Sequence, residues 1–426
     1  MERIAVIGSG ISGLAAARRL HAAGRRITLF EAGSHFGGHA NTVDIAIDGI
    51  EHGVDTGFLV FNHRTYPKLV SLFGELGVAT APSDMSFSVQ SAGVEWAGSS
   101  LGAVFAQRRN LLRPSFWRML ADIARFNRLA TELAQRGGDG ERREPVADFL
   151  DRHGFGRPFR QWYLLPMIAC IWSCPTEQML RFPIETLVRF CHNHGLLQID
   201  DRPQWHTVRG GSRHYVRRIV EQLPDARLST PVLEIVRRDA GVGVRTLDAF
   251  EHFDQVVMAC HSDEALALLG DGATPVERHI LGAIRYQSNR ALLHTDASLL
   301  PRRHGAWAAW NYEASDTNRG ERAVCLHYLL QRLQPLPWRT PVIVTLNPLR
   351  EPRPESVLRR LVYAHPVFDQ AAIEAQRRLP EVQGQQRIWF CGAWTGYGFH
   401  EDGLASGLAA AEALLAHSER PWQGAA

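Results

Sequence analysis

Residues 4–31 run strand, glycine turn, helix, strand, acid, and few folds accept that order. Ile4-Ala5-Val6-Ile7 is a short apolar run of the kind buried on both faces of a parallel sheet. Gly8-Ser9-Gly10-Ile11-Ser12-Gly13 follows at once. An Ala- and Leu-rich helix pattern then runs from Leu14 to Ala23 and is closed by Gly24. Ile27 to Phe30 reads as a second strand that ends at Glu31. Gly8 permits the tight turn, Gly10 lets backbone approach a pyrophosphate, and Gly13 lets the helix pack closely on its strand. The helix N-terminus, at Ser12, faces the phosphates with its partial positive charge. Glu31 lies 21 residues after Gly10, where a carboxylate can take both ribose hydroxyls. An acid there disfavours a 2′-phosphate. The segment predicts a dinucleotide site.

A second glycine pair follows in Gly37-Gly38-His39-Ala40-Asn41-Thr42. It resembles the motif after the ribose acid in glutathione-reductase-like and amine-oxidase-like FAD families, and so implies Gly38 and His39 at the cofactor. The far end agrees. Arg387 to Phe390 reads as a strand, followed by Cys391-Gly392-Ala393-Trp394-Thr395, then Gly403-Leu404-Ala405-Ser406-Gly407 opening a helix from Leu408 to Leu415. This resembles the C-terminal flavin motif of those families. The resemblance implies Gly392 against the ribityl–phosphate chain. It also implies the helix N-terminus at Gly403, Leu404 and Ala405 aimed at the flavin N1–C2 carbonyl, where a helix dipole stabilises negative charge. The implied cofactor is FAD.

Between these ends, Arg209-Gly210-Gly211-Ser212 precedes a helix pattern from Tyr215 to Gln222. Pro231 to Val236, Val242 to Arg245 and Gln255 to Cys260 read as strands. This return to strands resembles the layout of amine oxidases, protoporphyrinogen oxidases and phytoene desaturases, and implies that backbone near Val232 meets the adenine. The expected fold is α/β: a Rossmann-like, amine oxidase/protoporphyrinogen oxidase-like FAD-binding domain with an inserted substrate domain of mixed sheet plus helices. The FAD domain would be discontinuous (1–75, 205–270 and 385–426), with the substrate domain in 76–204 and 271–384.

In that second part, Leu101 to Leu133 reads as largely helical with a break at Pro114. It mixes Arg108, Arg109, Arg113, Arg118, Arg125 and Arg128 with Phe105, Phe116, Trp117 and Phe126. Two readings fit: a solvated face over an apolar core face, or docking to an anionic membrane surface. Gln161 to Leu197 is dense in Trp, Phe, Met and Pro, as core or as the wall of an apolar tunnel. Gly137-Gly138-Asp139-Gly140 marks a turn.

Charge is nearly balanced, 47 basic against 44 acidic residues, which argues against nucleic-acid binding. Lys68 is the only lysine, so chemistry that needs an active-site lysine has one candidate. The six cysteines show no CxxC or zinc-like spacing and fit reduced cytosolic thiols. The most apolar run, Trp162 to Trp172, is far shorter than the roughly 20 residues of a spanning helix. With no leader pattern at the N-terminus, a cytoplasmic protein is expected, with contact at the inner membrane face left open.

Further stretches carry a narrower resemblance. They are Asp55 to Asn62 with Thr65-Tyr66-Pro67, Trp172-Ser173, Phe190 to Leu196, and Gly396-Tyr397-Gly398-Phe399-His400-Glu401-Asp402-Gly403. Together they resemble bacterial NAD/FAD-binding proteins associated with cyclopropane-fatty-acid synthases, and the oxidase-like N-terminal domain of the plant synthases. The resemblance implies a fatty-acyl substrate, carried in phospholipid, and a lipid methyltransferase as partner. The methyltransferase part itself is not in this chain.

A flavin supplies hydride transfer, and the protein must position a C–H or C=C bond and move a proton. His400 and Glu401, placed just before the flavin helix, are the catalytic candidates; an ordinary histidine pKa near 6.5 suits proton transfer. His192 and His194 come second. Their spacing could mimic a metal pair, but no third ligand is evident, so no metal is expected. Asn62, His63 and Tyr66 would line the site, Asn62 as a loop cap. Cys391 would pack beside the cofactor as a small hydrophobe. Two alternatives stand beside acyl-chain chemistry. One is amine oxidation, with Trp394 and Tyr397 as an aromatic cage. The other is a non-catalytic FAD-binding partner of a methyltransferase.

Overall fold

The computed structural model describes residues 1–91, 93–135, 144–172, 179–198, 202–314 and 325–418. The predicted turn at Gly137–Gly140 and residues Ser173 and Cys174 lie outside the described residues.

A five-stranded parallel sheet organises the cofactor half. Its order is 226–227, Arg26–Phe30, Arg3–Ile7, Gln255–Met258, Ile388–Phe390. The chain's first strand is thus central, and strands some 250 and 380 residues later complete its flank. Alternate side chains enter two cores. Ile4, Val6, Val257 and Trp389 pack toward the helices Ile11–Ala22 and His400–Ser418. Ala5, Ile7, Val256, Met258, Ile388 and Phe390 pack toward an antiparallel meander (Glu234–Arg238, Gly241–Arg245, Phe250–Phe253) and two short helices (Ser262–Leu269, Pro275–Gly282). Burial on both faces is why the predicted strands read as continuous apolar runs rather than alternating ones.

A second, mixed sheet takes seven strands from both sides of that chain segment. Its order is Val357–Val367, Arg285–His294, Ile343–Leu346, Cys325–Leu329, Trp310–Glu313, Phe87–Ser91, Val94–Ala97. All pairs are antiparallel except Trp310–Glu313 with Phe87–Ser91. Helices cover it, the longest being Pro114–Gln135, which starts at the predicted break. The apolar run 162–172 forms a wide helical turn (Arg160–Leu164) and then the helix Leu165–Trp172. Among the described residues, no helix is long and apolar enough to cross a membrane.

Candidate active site

The glycine loop forms as its spacing requires. Gly8 has φ +102°, and a Cβ there would come 3.1 Å from the backbone of Ala259. A Cβ on Gly13 would come 1.9 Å from the Gly8 carbonyl oxygen, so only glycine lets helix and loop approach this closely. Gly10 differs: nothing lies within 4 Å of a Cβ built on it. Beyond it, the helix Ile11–Ala22 starts with no side-chain cap and no acid in its first turn. Unpaired N–H groups therefore face open space, which is the setting for an anion. The second glycine pair closes on the first. Gly37 N–H donates to the Ser9 carbonyl and hydroxyl oxygens (both 3.1 Å), and Gly38 lies against Gly10.

Glu31 stands at the end of its strand, as expected. Its carboxylate accepts from Ser9 N–H (3.0 Å), Ser9 Oγ (2.5 Å) and Gly33 N–H (2.7 Å). The segment before the meander runs alongside, with Thr230 N–H donating to the Glu31 carbonyl (2.8 Å) and Val232 half-buried just beyond. The strand there starts at Glu234 rather than Pro231.

At the C-terminal motif, Gly392 N–H donates to Ser406 Oγ (2.9 Å). The following helix departs from the sequence reading. It begins at His400, so Gly403, Leu404 and Ala405 sit in its second turn, and Gly403 N–H is already committed to the Phe399 carbonyl. Gly403 and Gly407 instead seat this helix on the first one. A Cβ at 403 would strike Ile11 at 2.7 Å, and one at 407 the Ser12 carbonyl at 2.1 Å. Leu404 is buried in the core between them. The early start follows from Asp402, whose carboxylate accepts from Tyr397 N–H (3.1 Å) and Phe399 N–H (2.9 Å) and so ties the preceding loop to the first turn.

His400, Glu401 and Asp402 each hold a different segment. His400 stacks flat on Phe58 (centroids 3.9 Å apart, 10° between planes), and its Nε2 lies 2.6 Å from the Tyr215 hydroxyl. This enclosure presses its pKa down to about 3, so the ordinary value assumed from sequence does not hold and the ring is neutral at pH 7. A buried phenol must donate its proton, so Tyr215 O–H donates to Nε2 and the neutral ring carries its own proton on Nδ1. Glu401 turns away from this pair. Its two oxygens accept from Lys68 N–H (2.9 Å) and Leu69 N–H (3.0 Å), capping the helix Pro67–Leu76 from a segment over 300 residues away.

Around this element the walls are largely aromatic, with Arg64 close to His194 and Arg189 close to Tyr397. Phe399 stacks on Phe190 (5.0 Å), Phe190 on His194 (4.0 Å), and Trp172 Nε1–H donates to the Tyr397 carbonyl. His194 is pressed to a pKa of about 4 by burial and binds the Phe190 carbonyl, so it is a wall residue. Sequence reasoning named His39 but missed its partners. His39, His365 and Tyr363 pack together (5.0–5.3 Å from the His39 ring), and His39 Nε2 is buried without a partner. Burial and neighbouring His365, His261 and His400 hold His39 well below its ordinary pKa. Asn62 is the loop cap expected, accepting from Arg64 and Thr65 N–H (both 2.9 Å). Cys391 is buried, its thiol pushed up to about 12. The Trp394–Tyr397 cage does not form: Trp394 belongs to the second core and donates to the Cys260 carbonyl, whereas Tyr397 packs on the first. Lys68 is exposed on the surface.

Among the described residues, one group of side chains has metal-like spacing: Glu313, Cys325 and His327, in the seven-stranded sheet. Burial opposes protonation of His327, but Cys325 and Glu313 raise it to about 9. Its Nε2 therefore directs a proton at Glu313 (3.1 Å), and Thr345 links its Nδ1 to His294. The group is a hydrogen-bonded polar chain in the sheet.

Residues 11–325 match the family described as flavin containing amine oxidoreductases. The chain belongs to that family. Its cofactor is FAD, as membership of a flavin-containing family implies, and the chain spans 58% or less of the length of the curated relatives it matches. It is 26% identical over 271 residues to the (S)-6-hydroxynicotine oxidase of Paenarthrobacter nicotinovorans, an alignment spanning 59% of this chain and 58% of that protein. Over 183 residues it is 24% identical to protoporphyrinogen oxidase 2 of Arabidopsis thaliana, spanning 39% of this chain and 32% of that one. The fold matches a CLA-producing fatty acid isomerase from P. acnes (TM-score 0.68, 15% identity, 97% and 98% of the two chains). It also matches the cyclohexylamine oxidase of Brevibacterium oxydans IH-35A (0.68, 15%, 98% and 100%). The residues present fit FAD on this structure's own terms: an open Gly10 cradle, an uncapped helix start, and an orphaned His39 nitrogen.

Proposed function

We propose that this flavoprotein oxidises, desaturates or isomerises a fatty-acyl chain. The observation that carries the reading is that the groups named in the described wall around the C-terminal element leave no free carboxylate for a substrate cation, while the nearest charges, Arg64 by His194 and Arg189 by Tyr397, are cationic. His400 and His194 are held neutral, the Glu401 and Asp402 carboxylates are spent on backbone N–H groups, and the lone lysine is on the surface. The fold serves fatty-acid and amine chemistry alike, so the site must discriminate, and an aromatic wall whose nearby charges are cationic favours an apolar substrate over a cation.

In this reading the Gly8–Gly13 turn with Ser12 takes the pyrophosphate and Glu31 the adenosine ribose. Val232 lies at the adenine, Gly38 and His39 border the phosphates, and Gly392 with 403–405 flank the flavin. FAD supplies the hydride acceptor when bound. His400 presents a fixed N–H donor, oriented by Phe58 and Tyr215, and acts by positioning rather than by changing charge. Glu401 holds the loop at Pro67 in place. The sequence resemblance further suggests an unsaturated, methylated or cyclopropanated chain, with a lipid methyltransferase acting before this enzyme.

The test is anaerobic visible spectroscopy of the FAD-loaded protein. Phospholipids bearing such chains should bleach the oxidised flavin band, and product analysis should name the bond. Bleaching by cyclic or polyamine substrates but by no lipid would replace this reading with amine oxidation.

A further inference from the structure

Four of the large apolar side chains that this protein leaves exposed come from one short stretch. Leu101 is 81% exposed, Leu112 87%, Trp117 49% and Leu111 47%. The local structure keeps them there. Trp117 Nε1–H donates to the Leu111 carbonyl (2.9 Å), its ring packs on Phe105, and Phe105 ends the short helix that Leu101 begins. The fold thus joins Leu111, Trp117 and Phe105, with Leu112 and Leu101 adjoining them in the chain, while Phe116, Met119 and Phe126 point into the core. On the outer side, Trp117, Ala121, Ala124 and Arg128 follow at helical spacing and all are exposed.

The charge of this surface is predominantly positive. Residues 101–135 contain six arginines and two acids: Asp122, which is buried and paired with Arg125, and Glu132, exposed near the far end of the helix. Among the described residues, no carboxylate pairs with Arg108, Arg109, Arg113, Arg118 or Arg128. Arg109 and Arg113 both bind the Gly93 carbonyl, which fixes their guanidinium groups beside the leucines. Exposed leucines and a tryptophan ringed by unpaired arginines match the interface of an anionic bilayer: apolar tips enter the headgroup layer and guanidinium groups meet lipid phosphates.

We propose that this surface docks the protein on anionic phospholipid bilayers. The proposal deepens the acyl-chain reading, because a substrate carried in phospholipid must be reached from the membrane. It is tested without turnover. FAD-loaded protein is sedimented with phosphatidylcholine vesicles that contain or lack about 30% phosphatidylglycerol. Binding to the anionic vesicles is expected, weakening as salt screens the arginines. The double variants Leu111→Glu/Leu112→Glu and Arg108→Glu/Arg109→Glu should each lose about tenfold or more in affinity, with flavin content and circular dichroism unchanged. No binding to anionic vesicles, equal binding to both vesicle types, or undiminished binding by the leucine variant overturns the proposal. If vesicles bind but no lipid reduces the flavin, the substrate reading falls and the docking surface stands.

Discussion

Gly407 lies directly on the backbone of Ser12: a Cβ at position 407 would come 2.1 Å from the Ser12 carbonyl oxygen. The last helix is thereby seated on the helix that follows the glycine turn. Gly407→Ala must push the two apart. It should cost about 1–3 kcal/mol as an overpacked contact, read as a lower urea midpoint, with a lower FAD content of the purified protein. An unchanged midpoint would show that the helices are not held this closely.

Glu31 gathers Ser9 and Gly33 N–H in this structure, beside the ribose role proposed for it. Glu31→Ala should weaken FAD binding by about tenfold or more, as expected for a lost charged hydrogen-bonding group, measured by recovery of flavin fluorescence on dilution. Full flavin occupancy in the variant would place the ribose elsewhere.

For Glu401, the cap and the catalytic acid make opposite forecasts. As a cap on Pro67–Leu76, Glu401→Ala should cost about 0.5–2 kcal/mol of stability. Glu401→Gln should lose part of that, and flavin reduction by substrate should keep most of its rate in both. A large loss of reduction rate in Glu401→Gln at unchanged stability would make the carboxylate catalytic.

Acid should destabilise the protein from pH 6.5 downward. Burial depresses His400 to about 3 and His194, His294 and His365 to about 4. Between these values and the unfolded pKa near 6.5, the unfolded chain binds more protons, so stability falls as pH falls. The slope is up to about 1.4 kcal/mol per pH unit for each histidine. Burial raises Asp55 and Asp402 to about 6, and these two act in the opposite sense, adding stability as pH falls through 6. His327, raised to about 9, also favours the lower pH, but four histidines outweigh it and the two carboxylates. The urea midpoint should therefore be lower near pH 5 than near pH 7.5; an equal or higher midpoint at pH 5 would mean that the histidines are not buried neutral.

Much of the cofactor half was legible because its signals are local. The Gly8–Gly13 turn, Glu31, and the strands at 4–7, 27–30 and 388–390 each announce themselves within a dozen residues. The site proper was not, because it is built from pairs far apart in sequence. Nothing near Tyr215 indicates that its hydroxyl meets His400, 185 residues on. Nothing near Lys68 indicates that its N–H is capped by Glu401. The histidine pKa assumed from composition failed for the same reason: Phe58, which encloses His400, is remote in the chain. The helix start was misplaced because the glycines at 403 and 407 suggested a terminus, when their small size serves close packing.

The central sheet sets Arg3–Ile7 beside Gln255–Met258, with Ile388–Phe390 outermost on that side. During synthesis the glycine turn thus emerges about 390 residues before the helix that backs it. Until that helix appears, Gly8 to Gly13 and the face of the first helix lack their covering, and this part of the nascent chain can be no more than loosely collapsed. Loss of the helix His400–Ser418 would therefore be felt at a turn nearly the whole described length away in sequence.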